Sequence, residues 1–154
     1  MGDFSQNGII SNLHDFGTKT TADIEKELVK FSKERKMELI LPSLYSELKG
    51  DALPNIVKQI SETKYLNHII VGLDKASKAE AVKAWKFFKK LNTPFTILWN
   101  DGPRLKKLHE ELKEKDLAPS EMGKGRNVWY CLGMCIARDE ARSVALHDCD
   151  IKTY

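Results

Sequence analysis

Asp148 and Asp150 stand one residue apart after an apolar run, Ser143-Val144-Ala145-Leu146-His147. Paired carboxylates there offer hard oxygen ligands for Mg²⁺ or Mn²⁺, with phosphate oxygens and water completing an octahedral shell. The triplet alone is a weak signal. Ten aspartates in 154 residues give roughly 0.6 Asp-x-Asp triplets by chance, so it counts only where the surrounding elements favour a ligand. A polar turn after a strand is the competing reading. A second group, Gly123-Lys124-Gly125-Arg126, stands at a predicted helix start. Glycines let a backbone approach a ligand closely, the free N–H groups and dipole of a helix start favour an anion, and a lysine adds a point charge suited to phosphate. Taken alone, the triplet reads more readily as a flexible basic loop. It is not a Walker loop, since Gly125 rather than Ser or Thr follows Lys124. No Gly-x-Gly-x-x-Gly follows the first predicted strand, which counts against a dinucleotide oxidoreductase.

Other chemistries find less support. Lys75 to Lys90 holds six lysines with Trp85, Phe87 and Phe88 between them. This pattern is more often a solvated helix face than a nucleic-acid or membrane surface. His14, His68, His109 and His147 have no Ser or Cys partner at a recognisable nucleophile elbow. Cys131 and Cys135 are spaced for one helix face and Cys149 lies between the two aspartates, but no second ligand pair with zinc spacing exists. Reduced thiols in a cytoplasmic protein are the simpler reading.

The elements that must position these groups follow from the pattern of the chain. Its 154 residues suit one domain. A net charge of +3 is too small to indicate a nucleic-acid partner. No apolar run is long enough to span a bilayer, and the first residues show no secretory signal. Residues 1–20 are polar and read as irregular. Thr20 or Thr21 caps a helix to about Lys36 with Ile24, Leu28 and Phe31 on one face. Met37–Leu41 reads as a strand ended by Pro42. A helix near Pro54 carries the stripe Leu53, Ile56, Val57 and Ile60. Ile69–Leu73 and Phe95–Trp99 are strands. Between them Ser77 caps a helix with Val82, Trp85, Phe88 and Leu91 on one face. After Asn100-Asp101-Gly102-Pro103 comes a helix with Leu105, Leu108 and Leu112 inward. A last helix, with Val128, Leu132 and Ile136 apolar, runs from Gly123 to about Arg138, before the strand that delivers Asp148. Strands alternating with helices specify an α/β fold with a mainly parallel sheet and right-handed crossovers. Ligands of such sheets bind beyond the carboxyl ends of the strands. Those ends are Pro42 to Glu47, Asp74 to Ser77, Asn100-Asp101 and Asp148 to Asp150.

Leu41-Pro42-Ser43-Leu44-Tyr45-Ser46-Glu47, Gly72-Leu73-Asp74-Lys75-Ala76, Leu98-Trp99-Asn100-Asp101-Gly102-Pro103, the Gly-Lys-Gly-Arg helix start and Asp148-Cys149-Asp150 occur in that order. Together with Ile9-Ile10-Ser11-Asn12-Leu13-His14 they resemble glucosyl-3-phosphoglycerate synthases and related retaining GT-A glycosyltransferases. The resemblance implies a Rossmann-like, nucleotide-sugar-binding half of a GT-A domain at residues 37–154, preceded by an N-terminal segment and helix at 1–36. It implies that Pro42, Ser43 and Leu44 hold the base and ribose, with Glu47 as a further contact, and that Asp74 contacts the nucleoside. Lys124 would sit near the phosphates, Asp148 would face the ribose or sugar, and Asp150 would bind Mg²⁺ or Mn²⁺. The implied reaction moves glucose from a nucleotide diphosphate glucose to 3-phosphoglycerate, as in glucosylglycerate (compatible-solute) synthesis. It takes place in the cytoplasm, with no nucleic-acid or membrane partner.

Two departures bear on that expectation. The family's turn often carries asparagine and paired glutamates where Tyr45 and Ser46 stand here. Family members also continue past the metal motif, and that continuation supplies an acceptor pocket and a metal-binding histidine. A chain truncated after its Asp-x-Asp strand is expected to expose that strand as an edge. It is also expected to bind nucleotide without turning over, unless a homodimer partner or a separate C-terminal half completes the site. A related mannosyl or other hexosyl transferase and a non-catalytic nucleotide-binding fragment are the alternative readings.

Overall fold

The structure, a computed structural model, describes residues 19–152. The irregular N-terminal segment and the match at residues 9–14 lie outside the described residues. The elements run α1 (Thr21–Glu34), β1 (Met37–Leu44), a 3₁₀ turn (Tyr45–Lys49), α2 (Ala52–Ser61), β2 (Leu66–Asp74), α3 (Lys78–Phe88), β3 (Phe95–Trp99), α4 (Pro103–Lys113), α5 (Lys124–Arg138) and β4 (Ser143–Leu146). The four strands form one sheet in the order β3-β2-β1-β4, with every neighbouring pair parallel. The expected α/β class and mainly parallel sheet are what the chain adopts.

Strand alternation sends neighbouring side chains to opposite faces, and both faces of β1 and β2 are covered. Leu39, Leu41, Ile69 and Val71 join Leu53, Ile56, Val57 and Ile60 of α2 and Phe88 of α3 in one core. Ile40, Ile70 and Leu98 join Tyr130, Cys131 and Cys135 of α5 in the other. Burial on both faces explains why β1 and β2 read as continuous apolar runs. The α2 stripe is buried as its spacing predicts. Ser77 caps α3 by accepting from the Glu80 N–H, while Glu80 Oε2 accepts from the Ser77 N–H at 2.9 Å. This reciprocal arrangement fixes where α3 begins.

Five local expectations are corrected. β1 does not end at Pro42 but continues to Leu44, pairing Pro42 with Gly72 of β2. Pairing to β4 has stopped at Ile40↔Leu146, so one side of β1 is free of a strand at Pro42 and a missing N–H is tolerated there. On α3, Val82 and Trp85 are exposed, and the buried positions are Ala84 and Phe88. On α5, Leu132 and Ile136 are exposed, while Asn127, Tyr130, Cys131 and Cys135 face inward. Ile24 and Phe31 of α1 also remain exposed, as does Leu108 of α4. β4 is an edge strand among the described residues, with Val144 and Leu146 exposed.

The amino ends of the strands, opposite the ligand side of the sheet, hold a polar brace. Glu38 is fully buried and accepts from Arg138 Nε at 3.1 Å, which ties the end of α5 to β1. Its register partner on β2 is His68, whose Nε2 lies 2.9 Å from Thr96 Oγ1. Burial, and then the positive charge of Arg138, lower the His68 pKa from its ordinary 6.5, against an opposing pull from Glu38 and Glu140. The folded state therefore favours the neutral ring. Stability is full above about pH 6.5 and falls as pH drops below it, because the unfolded chain takes up the proton first. The urea midpoint should decrease between about pH 7 and pH 5.5, and His68→Gln should flatten that slope. An unchanged slope in the variant would assign the effect to other groups.

Candidate nucleotide-binding cleft

The carboxyl ends of the strands open into a cleft of about 240 Å³. Parallel pairing places Leu44 of β1 beside Asp74 of β2, so the first two sequence segments meet there by register. The Pro42–Leu44 wall is held from below. Glu47, carried round by the 3₁₀ turn, accepts from the Leu44 N–H at 2.9 Å, and Ser43 Oγ donates to the Leu44 carbonyl at 3.1 Å. Glu47 thus fixes the shape of the wall as well as lining it.

Asp74 is buried, and its Oδ1 accepts from the Lys75 N–H at 3.1 Å and from Arg126 Nη2 at 3.3 Å. Both partners use Oδ1, so Oδ2 is the oxygen left for a ligand. Lys75 follows at φ 52°, a left-handed conformation that turns the chain away from β2 towards α3. Across the cleft, Gly123 takes φ 143°, which side-chain-bearing residues rarely adopt, and α5 starts at the next residue. Lys124 reaches over the opening and forms an ion pair with Asp148. Asn127, one turn along α5, is buried and donates from Nδ2 to the Gly72 carbonyl at 2.8 Å, forming part of the floor.

Beyond β4 the His147 N–H still donates to the Ile40 carbonyl at 3.1 Å, so the chain stays in register as it leaves the sheet. In the turn that follows, Cys149 is buried against the α2-side core, and Asp148, Cys149 and Asp150 all line the cleft. Burial, reinforced by Glu47 and the flanking aspartates, raises the Cys149 pKa to about 12. Cys131 and Cys135 are also raised to about 12, mainly by burial. Burial thus favours the thiol form of all three, which disfavours a nucleophilic role. Among the described residues no group of three or more His, Cys, Asp or Glu is arranged to enclose a metal. The two aspartates fit a cation of the Mg²⁺ type, bound by one or two carboxylates and completed by phosphate and water.

The residues to which the resemblance assigns a role, Pro42, Ser43, Leu44, Glu47, Asp74, Lys124, Asp148 and Asp150, all line this one cleft, whereas Asn100 and Asp101, at the end of β3, do not. Sequence reasoning missed three contributors. Arg126 belonged to a motif already noted, but its partner is 52 positions away. Lys75 stands in a strand-end segment already noted but its left-handed backbone has no local signal, and Asn127 has none either, since a side chain bonded to a distant strand carbonyl is not periodic in sequence.

No family model matches the chain. Over all 154 residues it is 43% identical to the glucosyl-3-phosphoglycerate synthase of Persephonella marina and covers 38% of that protein. Over 146 residues, 94% of the chain, it is 33% identical to the glucosyl-3-phosphoglycerate synthase of Methanococcoides burtonii and covers 35% of it. The chain is homologous to part of the glucosyl-3-phosphoglycerate synthases. It spans a little over a third of the length of these two synthases. A glucosyl-3-phosphoglycerate synthase from Mycobacterium tuberculosis, solved with Mn²⁺, uridine diphosphate and glucosyl-3-phosphoglycerate, superposes with a TM-score of 0.53 at 18% identity. That match covers 90% of the chain and 40% of the solved synthase. At this identity the likeness establishes the GT-A fold rather than the site.

Proposed function

We propose that the cleft is the donor site of a metal-dependent, retaining glycosyltransferase that moves glucose from a nucleotide diphosphate sugar to 3-phosphoglycerate. The observation that carries this reading is the meeting of Lys124 with the Asp148–Asp150 pair opposite the Pro42–Leu44 wall, at the ligand edge of a parallel sheet. In this reading the base and ribose lie on Pro42, Ser43 and Leu44, whose backbone Glu47 holds in place. Asp74 Oδ2 accepts from the nucleoside, while Arg126 holds the other carboxylate oxygen. Asp148 faces the ribose or sugar. When the diphosphate enters, Lys124 exchanges Asp148 for phosphate oxygens.

Asp150, with Asp148 beside it, would hold Mg²⁺ or Mn²⁺, which when bound neutralises charge developing on the leaving diphosphate. The surrounding residues orient the donor and keep its reacting end near the carboxyl ends of the strands. Three buried free thiols suit a reducing compartment, which supports a cytoplasmic location. Among the described residues no helix is long and apolar enough to cross a membrane.

Calorimetric titration of the chain with uridine diphosphate and with uridine tests the reading. Lys124→Met should weaken the diphosphate and leave the nucleoside unchanged. The lysine side chain is 59% exposed, so solvent screening limits its contribution to about 1 kcal/mol, or roughly fivefold in affinity. Equal weakening of both ligands would remove Lys124 from the phosphate site. Absence of diphosphate binding in the unsubstituted chain would remove the donor site altogether.

A further inference from the structure

We propose that the cleft between α4 and the first turns of α5 is a second ligand site, built for a small hydroxylated anion. It has a volume of about 300 Å³ and lies beyond the carboxyl end of β3, one strand away from the nucleotide cleft. Asn100, the residue after β3, lines it and is 6% exposed. Its backbone N–H donates to the Leu73 carbonyl at 2.9 Å, which fixes its position in the sheet. Yet both side-chain atoms, Oδ1 and Nδ2, are buried and bonded to nothing among the described residues. Buried amides almost always find partners, and this one offers a donor and an acceptor side by side.

Arg126 supplies the second observation. Its Nη2 is engaged by Asp74, but its buried Nε also has no partner among the described residues. Arg126 and Asn100 both line this cleft, with these unpartnered atoms buried in its wall. The opposite wall is a fixed pair, with His109 Nδ1 lying 2.6 Å from the buried Tyr130 hydroxyl. Lys106 adds positive charge at the rim, where Glu110 is the opposing group. Asp101 and Glu110 are the acidic groups of the lining, and the Asp101 carboxylate is held by the Ala76 N–H at 2.9 Å. Met122, 75% exposed, also lines the cleft and is free to swing aside.

The ligand class follows from this donor set. Arg126 Nε–H and Asn100 Nδ2–H call for an oxyanion, and Asn100 Oδ1 calls for a hydroxyl that donates to it. A carboxylate or phosphate carrying a hydroxyl on an adjacent carbon meets both requirements, whereas a bare anion meets only the first. The site shares Arg126 with the nucleotide cleft, through its bond to Asp74, but takes no direct ligand contact from the Pro42–Leu44 wall, Lys124 or the aspartate pair.

Titration of the isotopically labelled chain with glycerol 3-phosphate, followed by amide chemical shifts, tests this. Saturable shifts should appear at Asn100, including its side-chain NH₂, and at Lys106, His109 and Tyr130. Inorganic phosphate should bind there at least about fivefold more weakly. Asn100→Leu and Lys106→Ala should each weaken glycerol 3-phosphate by about fivefold or more; Lys106 lies on the surface of α4, so that variant remains decisive if Asn100→Leu does not fold. Shifts confined to Ser43, Lys124 and Asp148 would place the anion in the nucleotide cleft and overturn the proposal. Non-saturating shifts, or variants that bind as well as the unsubstituted chain, would overturn it too. Titration with uridine diphosphate in the same samples reads the nucleotide cleft separately, so either site can fail without the other.

Discussion

Asp150→Ala is expected to abolish the enhancement of nucleoside diphosphate binding by Mn²⁺ while leaving metal-free binding nearly unchanged. The expectation rests on placement. The turn after β4 buries Cys149 and places Asp148 and Asp150 on the cleft. Of the two, Asp148 is already engaged by Lys124, whereas Asp150 is exposed and forms no ion pair among the described residues. Alanine at 150 leaves Asp148 as the single carboxylate at that end of the cleft, still shared with a lysine. One shared oxygen ligand is a poor anchor for a hard cation that must shed water to bind. Metal enhancement of about tenfold or more in the unsubstituted chain should therefore fall to near unity in the variant, a difference of about 1.4 kcal/mol or more. Titration with and without Mn²⁺ measures it. Equal enhancement in both proteins would show that the cation is held elsewhere.

Gly72→Ala should destabilise the fold by about 3 kcal/mol or more, through overpacking and a broken buried hydrogen bond together. A Cβ at position 72 would stand 1.7 Å from Asn127 Oδ1 and 2.7 Å from Cys131 Sγ. Both neighbours are buried on the inward face of α5, so neither can rotate into solvent. α5 must lift from β2, breaking the Asn127–Gly72 bond and shifting the Gly123–Lys124 start of the helix. Urea denaturation should show a markedly lower midpoint for the variant. Adding Asn127→Ala removes the nearest clash, so the double variant should lose less than the sum of the two singles. A Gly72→Ala midpoint within error of the unsubstituted chain would mean that α5 does not pack on β2 at this point.

Gly72 also explains which parts of the fold could be read from sequence. β2, β3 and the α2 stripe were legible because burial there is set by large apolar residues at a regular period. The inward face of α5 was not, because the helix sits so close to the sheet over Gly72 that small and polar side chains fill the gap. Asn127, Cys131 and Cys135 face the strands, and the larger Leu132 and Ile136 are turned out. A similar substitution of small for large hides the α3 face, where Ala84 rather than Trp85 is buried. Pro42 reads locally as a strand terminator because the free side of β1 at that point depends on where β4 stops pairing, a long-range fact.

The cleft residues were legible for a different reason. Each stands at the carboxyl end of a strand or the start of a helix, positions that sequence pattern locates well. What no local pattern showed is the tie between them. Arg126 reaches from α5 to Asp74 on β2, and Glu47 reaches back to the Leu44 N–H. These bonds depend on the parallel register of β1 with β2 and on the docking of α5.

A nucleoside diphosphate and a divalent cation are proposed to share the cleft at the ends of β1, β2 and β4. Paramagnetic Mn²⁺ tests it most directly, because it broadens amide resonances only near where it sits. With uridine diphosphate present, trace Mn²⁺ should selectively broaden the amides of Asp148, Cys149, Asp150 and Ile151, with weaker effects at Gly123 and Lys124. Without nucleotide the broadening should be much reduced. Nucleotide-independent broadening, or nucleotide-dependent broadening centred on any other part of the sheet, would contradict the account.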